Sequence, residues 1–373
     1  MGQKVLMKGN EAIAEAAVRA GCRFYAGYPI TPQNEIPEYM SWRQYEAGGQ
    51  FVQAESELAA INMVYGAGGA GTRAMTSSSS PGISLKQEGM SYLAGAEVPA
   101  VIVNMVRCGP GLGGIQPAQS DYFQATRGGG HGDYHMLVLA GESVQEMVDL
   151  TCLAFDKADE YRNPVLLLGD AILGQIMEPV TLPDPVDTAG LPDKPWATTG
   201  TGGLRRRNVI NSLDLRPESL ERHNLKLKAK YDRMASSEQR HAGYRIDDAT
   251  LVLVAYGSTA RICRRAVDLA RREGIAAGLL RPISLWPFPA EAFEAAVPRA
   301  GAFLAVEMSL GQMVEDVRLA VQFRRPVYFY GRTGGVVPTP AEVLVQIRET
   351  AGACGASTAP AASGAARGGG LVK

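Results

Sequence analysis

The sequence predicts an α/β protein built on two doubly wound sheets that follow each other along the chain. Helical and strand-like segments alternate, with short Gly/Pro turns between them, through residues 1–180 and again through residues 246–350. This alternation is typical of parallel sheets covered by helices. Residues 98–106 form a nearly continuous apolar run, as expected for a strand that is buried on both faces. The length of 373 residues also favours two or three domains.

The first predicted domain, residues 1–180, opens with an alanine-rich helix at residues 11–20. We expect Asn10 to be its N-cap and Gly21 to end it. Further helices are predicted at 56–66, 83–95 and 144–160, and strands before Tyr28 and at 51–52, 72–76, 98–106, 136–139 and 165–168. Strands and helices therefore follow one another in the order that a doubly wound sheet needs.

Residues 181–245 are predicted to link the two domains. Pro, Asp, Thr and Gly are frequent in residues 178–204, which favours irregular structure. Residues 216–240 are strongly charged, with apolar residues at helical spacing, and predict a solvated connecting helix. The second domain, residues 246–350, is predicted to contain a helix at 260–272 and strands at 250–255, 278–280, 303–306 and 327–329. The Gly/Ala/Ser-rich tail, residues 351–373, is predicted to be disordered.

The composition excludes several classes of protein. A net charge of −1 argues against a nucleic-acid binder, because phosphate contact needs a basic surplus. No apolar run approaches the about 20 residues of a membrane span, so we expect no membrane association. The N-terminus has neither a signal-peptide core nor the composition of a transit peptide, which predicts a cytoplasmic protein.

The cysteines do not form a metal-binding pattern. All five are scattered, and no C-x-x-C pair occurs, which excludes a self-contained four-cysteine iron–sulfur site in consecutive spacing. The same scatter argues against a zinc ribbon. With only four histidines, a metal centre held by this chain alone is not expected.

Residues 53–57 read Gln-Ala-Glu-Ser-Glu and place two carboxylates, Glu55 and Glu57, at the opening of a predicted helix. A carboxylate behind a short buried strand is well placed for general acid–base chemistry. The alternative is that both glutamates only complement the dipole of the helix.

Two further segments present hydroxyl groups at predicted strand ends. Residues 28–32, Tyr-Pro-Ile-Thr-Pro, hold Thr31 between two stiffening prolines. Residues 75–82, Met-Thr-Ser-Ser-Ser-Ser-Pro-Gly, end another strand. The alternatives are an ordinary turn at Thr31 and serines that only cap the following helix.

Arg107 closes the predicted strand at 98–106 and precedes a glycine-rich segment, residues 109–114. A guanidinium at the C-terminal end of a parallel strand can bind a carboxylate through two hydrogen bonds. The alternative is a structural salt bridge. Lys86 could approach the same pocket, but we expect a solvated lysine. His131, in the glycine-rich segment 128–133, is a candidate proton shuttle, although a flexible loop is the preferred interpretation.

Two sets of glycines imitate a dinucleotide-binding fingerprint, namely Gly66, Gly68 and Gly71, and Gly109, Gly111 and Gly114. The first set ends a predicted helix, and Pro117 interrupts the helix that should follow the second, so the match is weak. An NAD(P)-dependent dehydrogenase is therefore the alternative enzyme class, and a non-catalytic α/β scaffold subunit is the alternative without chemistry.

Taken together, the runs at 8–12, 28–32, 53–57, 76–82, 109–114 and 281–288 resemble the alpha-type subunit of multi-subunit 2-oxoacid:ferredoxin oxidoreductases. The resemblance covers residues 1 to about 350. It is closest to the 3-methyl-2-oxobutanoate (2-ketoisovalerate) type, and the 2-oxoglutarate type is next. It implies a thiamine-diphosphate pyrimidine-type domain followed by a transketolase C-terminal-like domain.

The resemblance also implies roles for the candidate residues. Glu57, nine residues before Gly66, matches the glutamate that hydrogen-bonds N1′ of the cofactor's aminopyrimidine and activates it, with Glu55 as the competing candidate. Thr31 matches a catalytic hydroxyl that contacts the substrate, and Arg107 matches the arginine that binds the substrate carboxylate. Further cofactor contacts are implied for Ile30, Ser78 and Ser79.

The chain lacks the second half of a thiamine site. Thiamine enzymes hold the diphosphate through Mg²⁺ with a Gly-Asp-Gly run and a downstream Asn. The similar start at residues 169–171, Gly-Asp-Ala, has no Asn before Asn208. The resemblance implies that a beta subunit supplies the diphosphate and Mg²⁺ site and a 4Fe-4S cluster, with gamma and ferredoxin-like delta subunits beside it. The complete enzyme would decarboxylate a 2-oxoacid, pass electrons to ferredoxin and transfer the acyl group to CoA.

Overall fold

A computed structural model describes residues 4–354, which fold into three sheets flanked by helices. The strands are β1 (Lys4–Lys8), β2 (Phe24–Gly27), β3 (Gln50–Gln53), β4 (Ala74–Ser78), β5 (Ala100–Val106), β6 (Leu137–Leu139), β7 (Pro164–Asp170), β8 (Met177–Thr181), β9 (His241–Tyr244), β10 (Leu251–Val254), β11 (Ala277–Pro282), β12 (Ser284–Trp286), β13 (Ala302–Glu307) and β14 (Val327–Gly331). The helices are α1 (Gly9–Arg19), α2 (Glu35–Glu46), α3 (Glu57–Gly69), α4 (Ser80–Gly95), α5 (Tyr122–Arg127), α6 (Val144–Tyr161), α7 (Ala171–Gln175), α8 (Pro217–Ser237), α9 (Gly257–Arg272), α10 (Ala290–Ala296), α11 (Met313–Ala320) and α12 (Pro340–Ala353).

The largest sheet has seven strands in the order β12-β6-β7-β5-β4-β2-β3. All neighbouring strands in it are parallel except β12 and β6. Strand β5 is buried along its whole length, which confirms the predicted two-sided burial. Because β2, β4 and β5 are neighbours and parallel, the segments that follow them meet at one edge of the sheet.

The second sheet has five strands in the order β14-β13-β10-β11-β9, parallel except for β9. Helices α9 and α12 pack against each other beside it. The predicted pair of α/β units with parallel sheets is therefore confirmed.

The two sheets are joined by more than the connecting chain. Strand β12, from the second half of the sequence, pairs with β6 of the large sheet. The buried Ser258 hydroxyl donates to Asp170 Oδ2 at 2.5 Å. The Arg281 guanidinium makes a two-bond ion pair with Glu146, at 2.8 and 2.7 Å. The segment at 284–286 thus lies in the first sheet, although the sequence predicted it in the second domain. The other predicted domain bounds stay predictions.

Two local expectations about the first domain were wrong. Helix α1 begins at Gly9 with Lys8 at its N-cap, and Asn10 lies inside the helix. Its buried amide donates to Pro32 O at 2.8 Å and to Glu35 Oε2 at 2.7 Å. The supposed irregular segment at 178–204 starts with β8, which pairs antiparallel with β1. The composition of this segment does not predict that its first residues form a strand and pair with β1.

The connecting helix and the tail also differ from expectation. Helix α8 is not solvated on every side, because Leu227, Tyr231 and Met234 are buried against the core. Helix α12 continues to Ala353, three residues into the predicted tail, and the rest of that tail from residue 355 lies outside the described residues. No helix within residues 4–354 is long and apolar enough to cross a membrane.

Candidate active site at the strand edge

The turn after β2 carries Thr31 at the edge of the large sheet. The backbone of this turn is held by donors from three elements, because Arg107 Nη1 donates to Thr31 O at 3.0 Å, and Asn10 and Gln175 donate to Pro32 O at 2.8 and 3.2 Å. The Thr31 side chain is exposed, and its oxygen accepts from Asn34 Nδ2 at 3.3 Å. The hydroxyl proton of Thr31 is thus left to donate to a ligand.

Glu57 and Glu55 lie in different surroundings. Glu57 is the first residue of α3, is 6% exposed, and follows Ser56, whose hydroxyl caps the helix by accepting from Ala59 N. Glu55 is exposed. Within residues 4–354 no hydrogen bond or ion pair is formed by the Glu57 carboxylate. The Glu57 carboxylate oxygens are therefore left to accept hydrogen bonds from a ligand.

Gly82, in the first turn of α4, lies directly against the Glu57 carboxylate. A Cβ built on Gly82 would lie 2.5 Å from Glu57 Oε1 and still closer to Ser78 Oγ. Only glycine leaves room for both groups. The carboxylate, the Ser78 hydroxyl and the N-terminal turn of α4 therefore form one compact cluster.

The hydroxyls at the end of β4 divide into two groups. Ser77 is committed to the core, since its hydroxyl shares a 2.6 Å hydrogen bond with Tyr25 and donates to Gln33 Oε1 at 2.5 Å. The Ser78 and Ser79 hydroxyls are buried and have no hydrogen-bond partner among the described residues. Buried hydroxyls normally have a hydrogen-bond partner, and a polar ligand at this point would provide one.

Lys86 is fully buried on α4, which makes the expectation of a solvated lysine wrong. Its ammonium donates to Thr76 Oγ1 at 2.7 Å and to Ser77 O at 3.4 Å. Burial lowers the pKa of Lys86 to about 7, and the nearby charge of Glu57 opposes that shift. The sequence analysis considered Lys86 near the pocket but preferred a solvated side chain, since a helical lysine is usually solvated.

Arg107 follows β5 and is 7% exposed. Its Nη1 and Nη2 donate to the carbonyls of Thr31 and Leu112, at 3.0 and 2.9 Å. Its buried Nε has no partner among the described residues. The arginine forms no salt bridge within residues 4–354, and it is two backbone carbonyls that hold its guanidinium.

A cleft of about 420 Å³ opens beside Arg107. It is lined by Ser80, Pro81, Ser84, Arg107, Cys108, Gly109, Pro110, Gly111, Ser120, Asp121, Gln124, Leu310, Gln312 and Thr333. Asp121 accepts from Asn104 Nδ2 at 2.9 Å, and burial raises the pKa of the Asp121 carboxyl. Residues of both halves of the chain therefore line one cleft at the strand edge.

The remaining sequence candidates lie elsewhere. His131 is exposed and does not line this cleft. Neither glycine set opens a helix, because Gly66 and Gly68 lie inside α3 and the segment 109–114 precedes a loop that reaches to α5. Asp170 is committed to structure, since it caps α7 through Ile172 N and Leu173 N and accepts from Ser258. The dinucleotide-binding geometry is thus missing at both glycine segments.

The family comparisons cover nearly the whole chain. Residues 15–238 match the thiamine diphosphate-binding domain of pyruvate flavodoxin/ferredoxin oxidoreductases, and residues 249–343 match core domain II of pyruvate:ferredoxin oxidoreductase. The ketoisovalerate oxidoreductase subunit VorB of Methanothermobacter thermautotrophicus is 51% identical over 93% of this chain and 98% of its own. The 2-oxoglutarate synthase subunit KorA of the same organism is 37% identical over 93% of this chain and 99% of its own.

Solved structures give the same result for the fold. The 2-oxoglutarate:ferredoxin oxidoreductase of Magnetococcus marinus, solved with 2-oxoglutarate, coenzyme A and succinyl-CoA bound, superposes with a TM-score of 0.83 at 26% identity. The match covers 93% of this chain and 65% of that chain. A split-gene transketolase, an inactive beta4 tetramer, superposes with a TM-score of 0.55 at 14% identity and supports the fold alone.

Proposed function

The chain belongs to the 2-oxoacid:ferredoxin oxidoreductase family as an alpha-type subunit, and from this premise we propose that it binds the aminopyrimidine end of thiamine diphosphate. The enzyme it serves decarboxylates a 2-oxoacid, reduces ferredoxin and forms an acyl-CoA. The substrate we propose is a branched-chain 2-oxoacid such as 3-methyl-2-oxobutanoate.

The observation that carries this proposal is the cluster around Glu57. The Glu57 carboxylate forms no hydrogen bond within residues 4–354 and packs closely against Gly82 and Ser78. The buried Ser78 and Ser79 hydroxyls at the end of the same strand have no partner among the described residues. A carboxylate and two hydroxyls can accept from and donate to the ring nitrogens and the amino group of an aminopyrimidine. Ile30 is half-buried and precedes Thr31 in the turn after β2, and we propose that it also contacts the cofactor.

When bound, thiamine diphosphate supplies the nucleophilic carbon and the electron sink that 2-oxoacid decarboxylation needs. The Glu57 carboxylate holds the hydrogen bond at N1′ of the pyrimidine and keeps a proton available there. Glu55 is the weaker candidate for this role because its side chain is exposed.

Arg107 and Thr31 are proposed to bind the substrate. Arg107 has a buried Nε–H without a partner in the described chain, and its two terminal nitrogens each keep a second N–H beyond the ones given to backbone carbonyls. These N–H groups suit a carboxylate. Arg107 also donates to the backbone carbonyl of Thr31, so the arginine helps to position the turn that presents the exposed Thr31 hydroxyl.

The charge of the cleft supports a monocarboxylate substrate. Arg107 is the one basic residue among the described residues that line the cleft. The second carboxylate of 2-oxoglutarate would need another cation or would be left unpaired at a high cost. An aliphatic side chain has no such requirement, and Leu310 offers apolar surface to it.

Other subunits complete the enzyme. We propose a thiamine-binding beta subunit that supplies the diphosphate and Mg²⁺ site and a 4Fe-4S cluster, with gamma and ferredoxin-like delta subunits. In support, Asp170, the only local match to the diphosphate motif, is engaged with α7 and Ser258 and is not free to bind a metal. A cytoplasmic location stays a prediction of the sequence.

Reconstitution tests this proposal. The chain is purified alone and together with its candidate partner subunits, and CoA-dependent ferredoxin reduction is measured with 3-methyl-2-oxobutanoate and with 2-oxoglutarate. We expect no turnover by the chain alone, and in the complex a kcat/KM at least about tenfold higher for the branched-chain acid, because a missing charge partner is strongly discriminating. Turnover without partners, or a preference for 2-oxoglutarate, would contradict the respective part of the proposal.

A further inference from the structure

The carbonyl of Pro32, next to Thr31 in the turn after β2, is held by two side-chain amides from different helices. Asn10 Nδ2, on α1, donates to Pro32 O at 2.8 Å, and Gln175 Nε2, from the last residue of α7, donates to it at 3.2 Å. A carbonyl oxygen has two lone pairs, so these two donors use its full capacity to accept hydrogen bonds. Asn10 and Gln175 are called the amide pair below.

The amide pair shares a second acceptor, the Glu35 carboxylate at the start of α2. Asn10 Nδ2 lies 2.7 Å and Gln175 Nε2 lies 2.9 Å from the same oxygen, Glu35 Oε2. An amide NH₂ group has two hydrogens, so each amide gives one hydrogen to the carbonyl and one to the carboxylate. Because neither acceptor can donate, the orientation of both amides is fixed. Lys8 Nζ, 3.3 Å from Glu35 Oε1, supports the carboxylate from its other side.

The amide pair exists because α1 and α7 approach each other very closely. A Cβ built on Gly9 would lie 1.8 Å from Leu173 O, and a Cβ on Gly174 would lie 2.6 Å from Asn10 Oδ1. Both positions therefore need glycine. This contact buries Asn10 completely and leaves its Oδ1 without a partner among the described residues. An unsatisfied buried oxygen costs stability, so packing alone does not account for an asparagine at this position.

Consecutive carbonyls of the turn are thus fixed from three directions along the chain. Arg107 Nη1 donates to Thr31 O at 3.0 Å, and the amide pair donates to Pro32 O. The Thr31 side chain between these fixed groups is exposed, and its oxygen accepts only a 3.3 Å hydrogen bond from Asn34. The direction of the Thr31 hydroxyl is therefore set by its backbone, which the amide pair and Arg107 hold.

We propose that Asn10 and Gln175 are positioning residues for Thr31, which fix the turn through Pro32 O and so direct the Thr31 hydroxyl at the 2-oxoacid. The inference rests on the proposed role of Thr31. Neither amide touches the substrate, and both act through the backbone of the turn. Releasing the carbonyl lets the turn move, and a displacement of about 1 Å of a positioned group can cost a hundredfold in rate.

The test measures kcat and KM for 3-methyl-2-oxobutanoate in the reconstituted complex. The variants are Asn10→Ala, Thr31→Val and the double variant. The matched control is Asn163→Ala, because Asn163 is also completely buried, donates to His135 O and Pro164 O at 2.9 and 3.1 Å, and has an Oδ1 without a partner among the described residues. Asn163 precedes β7, so it lies at the edge of the sheet opposite the turn.

We expect Asn10→Ala to lower kcat/KM at least about tenfold, as a misplaced positioning group does, while Asn163→Ala keeps the wild-type kinetics. Both variants should lower the midpoint of thermal unfolding, since each removes two buried hydrogen bonds. In the Thr31→Val background, Asn10→Ala should lower kcat/KM by less than about twofold more, because groups that act through each other are not additive.

Additive losses in the double variant, or equal kinetic losses in Asn10→Ala and Asn163→Ala, would reduce Asn10 to a structural residue and overturn the inference. If Asn10→Ala does not assemble, Gln175→Ala decides the question in the same cycle with Thr31→Val, because the Gln175 side chain is exposed. Full activity of Thr31→Val would overturn the proposed role of Thr31 itself. Full activity of Asn10→Ala beside an impaired Thr31→Val would overturn only the inference.

Discussion

At the scale of single residues, burial separates candidates that look alike in the sequence. Glu55 and Glu57 are two positions apart, yet Glu55 is exposed, whereas Glu57 is only 6% exposed and packs against Gly82. Lys86 and Arg107 are both buried cations at the same sheet edge. The lysine donates to Thr76 and Ser77 of β4, whereas the arginine has a buried Nε–H without a partner among the described residues.

Arg107→Lys should raise the KM for the 2-oxoacid at least about tenfold, because lysine cannot reproduce the two-bond fork of a guanidinium. The effect on kcat should be smaller, since the charge is kept. Steady-state kinetics of the reconstituted complex measure the split. An unchanged KM would remove Arg107 from the substrate site.

At the scale of elements, the site depends on how tightly α3 and α4 meet at the end of β4. The two helices pack against each other, and a Cβ added at Gly82 or Gly89 of α4 would clash with Glu57 or Ile61 of α3. The positions of the Glu57 carboxylate and the Ser78 hydroxyl thus follow from one helix contact.

Gly82→Ala should weaken cofactor binding and activity strongly, because the added methyl would meet Glu57 Oε1 at 2.5 Å and Ser78 Oγ closer still. Gly66→Ala is the matched control, since it lies inside α3 with no atom within 4 Å of the added Cβ. It should keep activity and raise the free energy of unfolding by about 0.5–1 kcal/mol. Thermal unfolding measures the stability of each variant, and cofactor titration measures its affinity for thiamine diphosphate. Equal behaviour of the two variants would mean that the contact at Gly82 does not define the site.

Much of this arrangement could be predicted from the sequence, for reasons that are local. The turn at Thr31, the carboxylates at the start of α3 and the serines after β4 each combine a strand end with a polar group, and parallel strands bring such ends together. The chain gives no comparable signal for Lys86, because its burial arises from packing between α4 and β4. The prediction that Asn10 caps α1 was wrong for a similar reason. Its side-chain amide donates to the carbonyl of Pro32, a residue 22 positions away in the sequence. Strand β12 was missed because it is three residues long and pairs with a distant strand.

At the scale of the whole molecule, the two halves of the chain form one framework around the cleft. Gln119, beyond the glycine-rich segment, donates to Tyr256 O at 2.8 Å and accepts from Thr259 and from Met308 N, at 2.8 and 3.0 Å. Tyr122 donates to Asp316 at 2.6 Å. The second half therefore supports the loop that carries Arg107 and closes the cleft, which explains why the catalytic candidates come from one half and the cleft walls from both.

The central claim is that this chain provides the catalytic carboxylate of an enzyme that other subunits complete. Glu57→Gln and Glu55→Gln, each assembled with the partner subunits, test it most directly in the assay of CoA-dependent ferredoxin reduction with 3-methyl-2-oxobutanoate. Glu57→Gln should assemble normally and lose at least about a hundredfold of kcat, the range expected for a lost acid–base group, while Glu55→Gln stays near the wild-type rate. Normal turnover by an assembled Glu57→Gln complex would contradict the claim, and a loss confined to Glu55→Gln would transfer the role to Glu55.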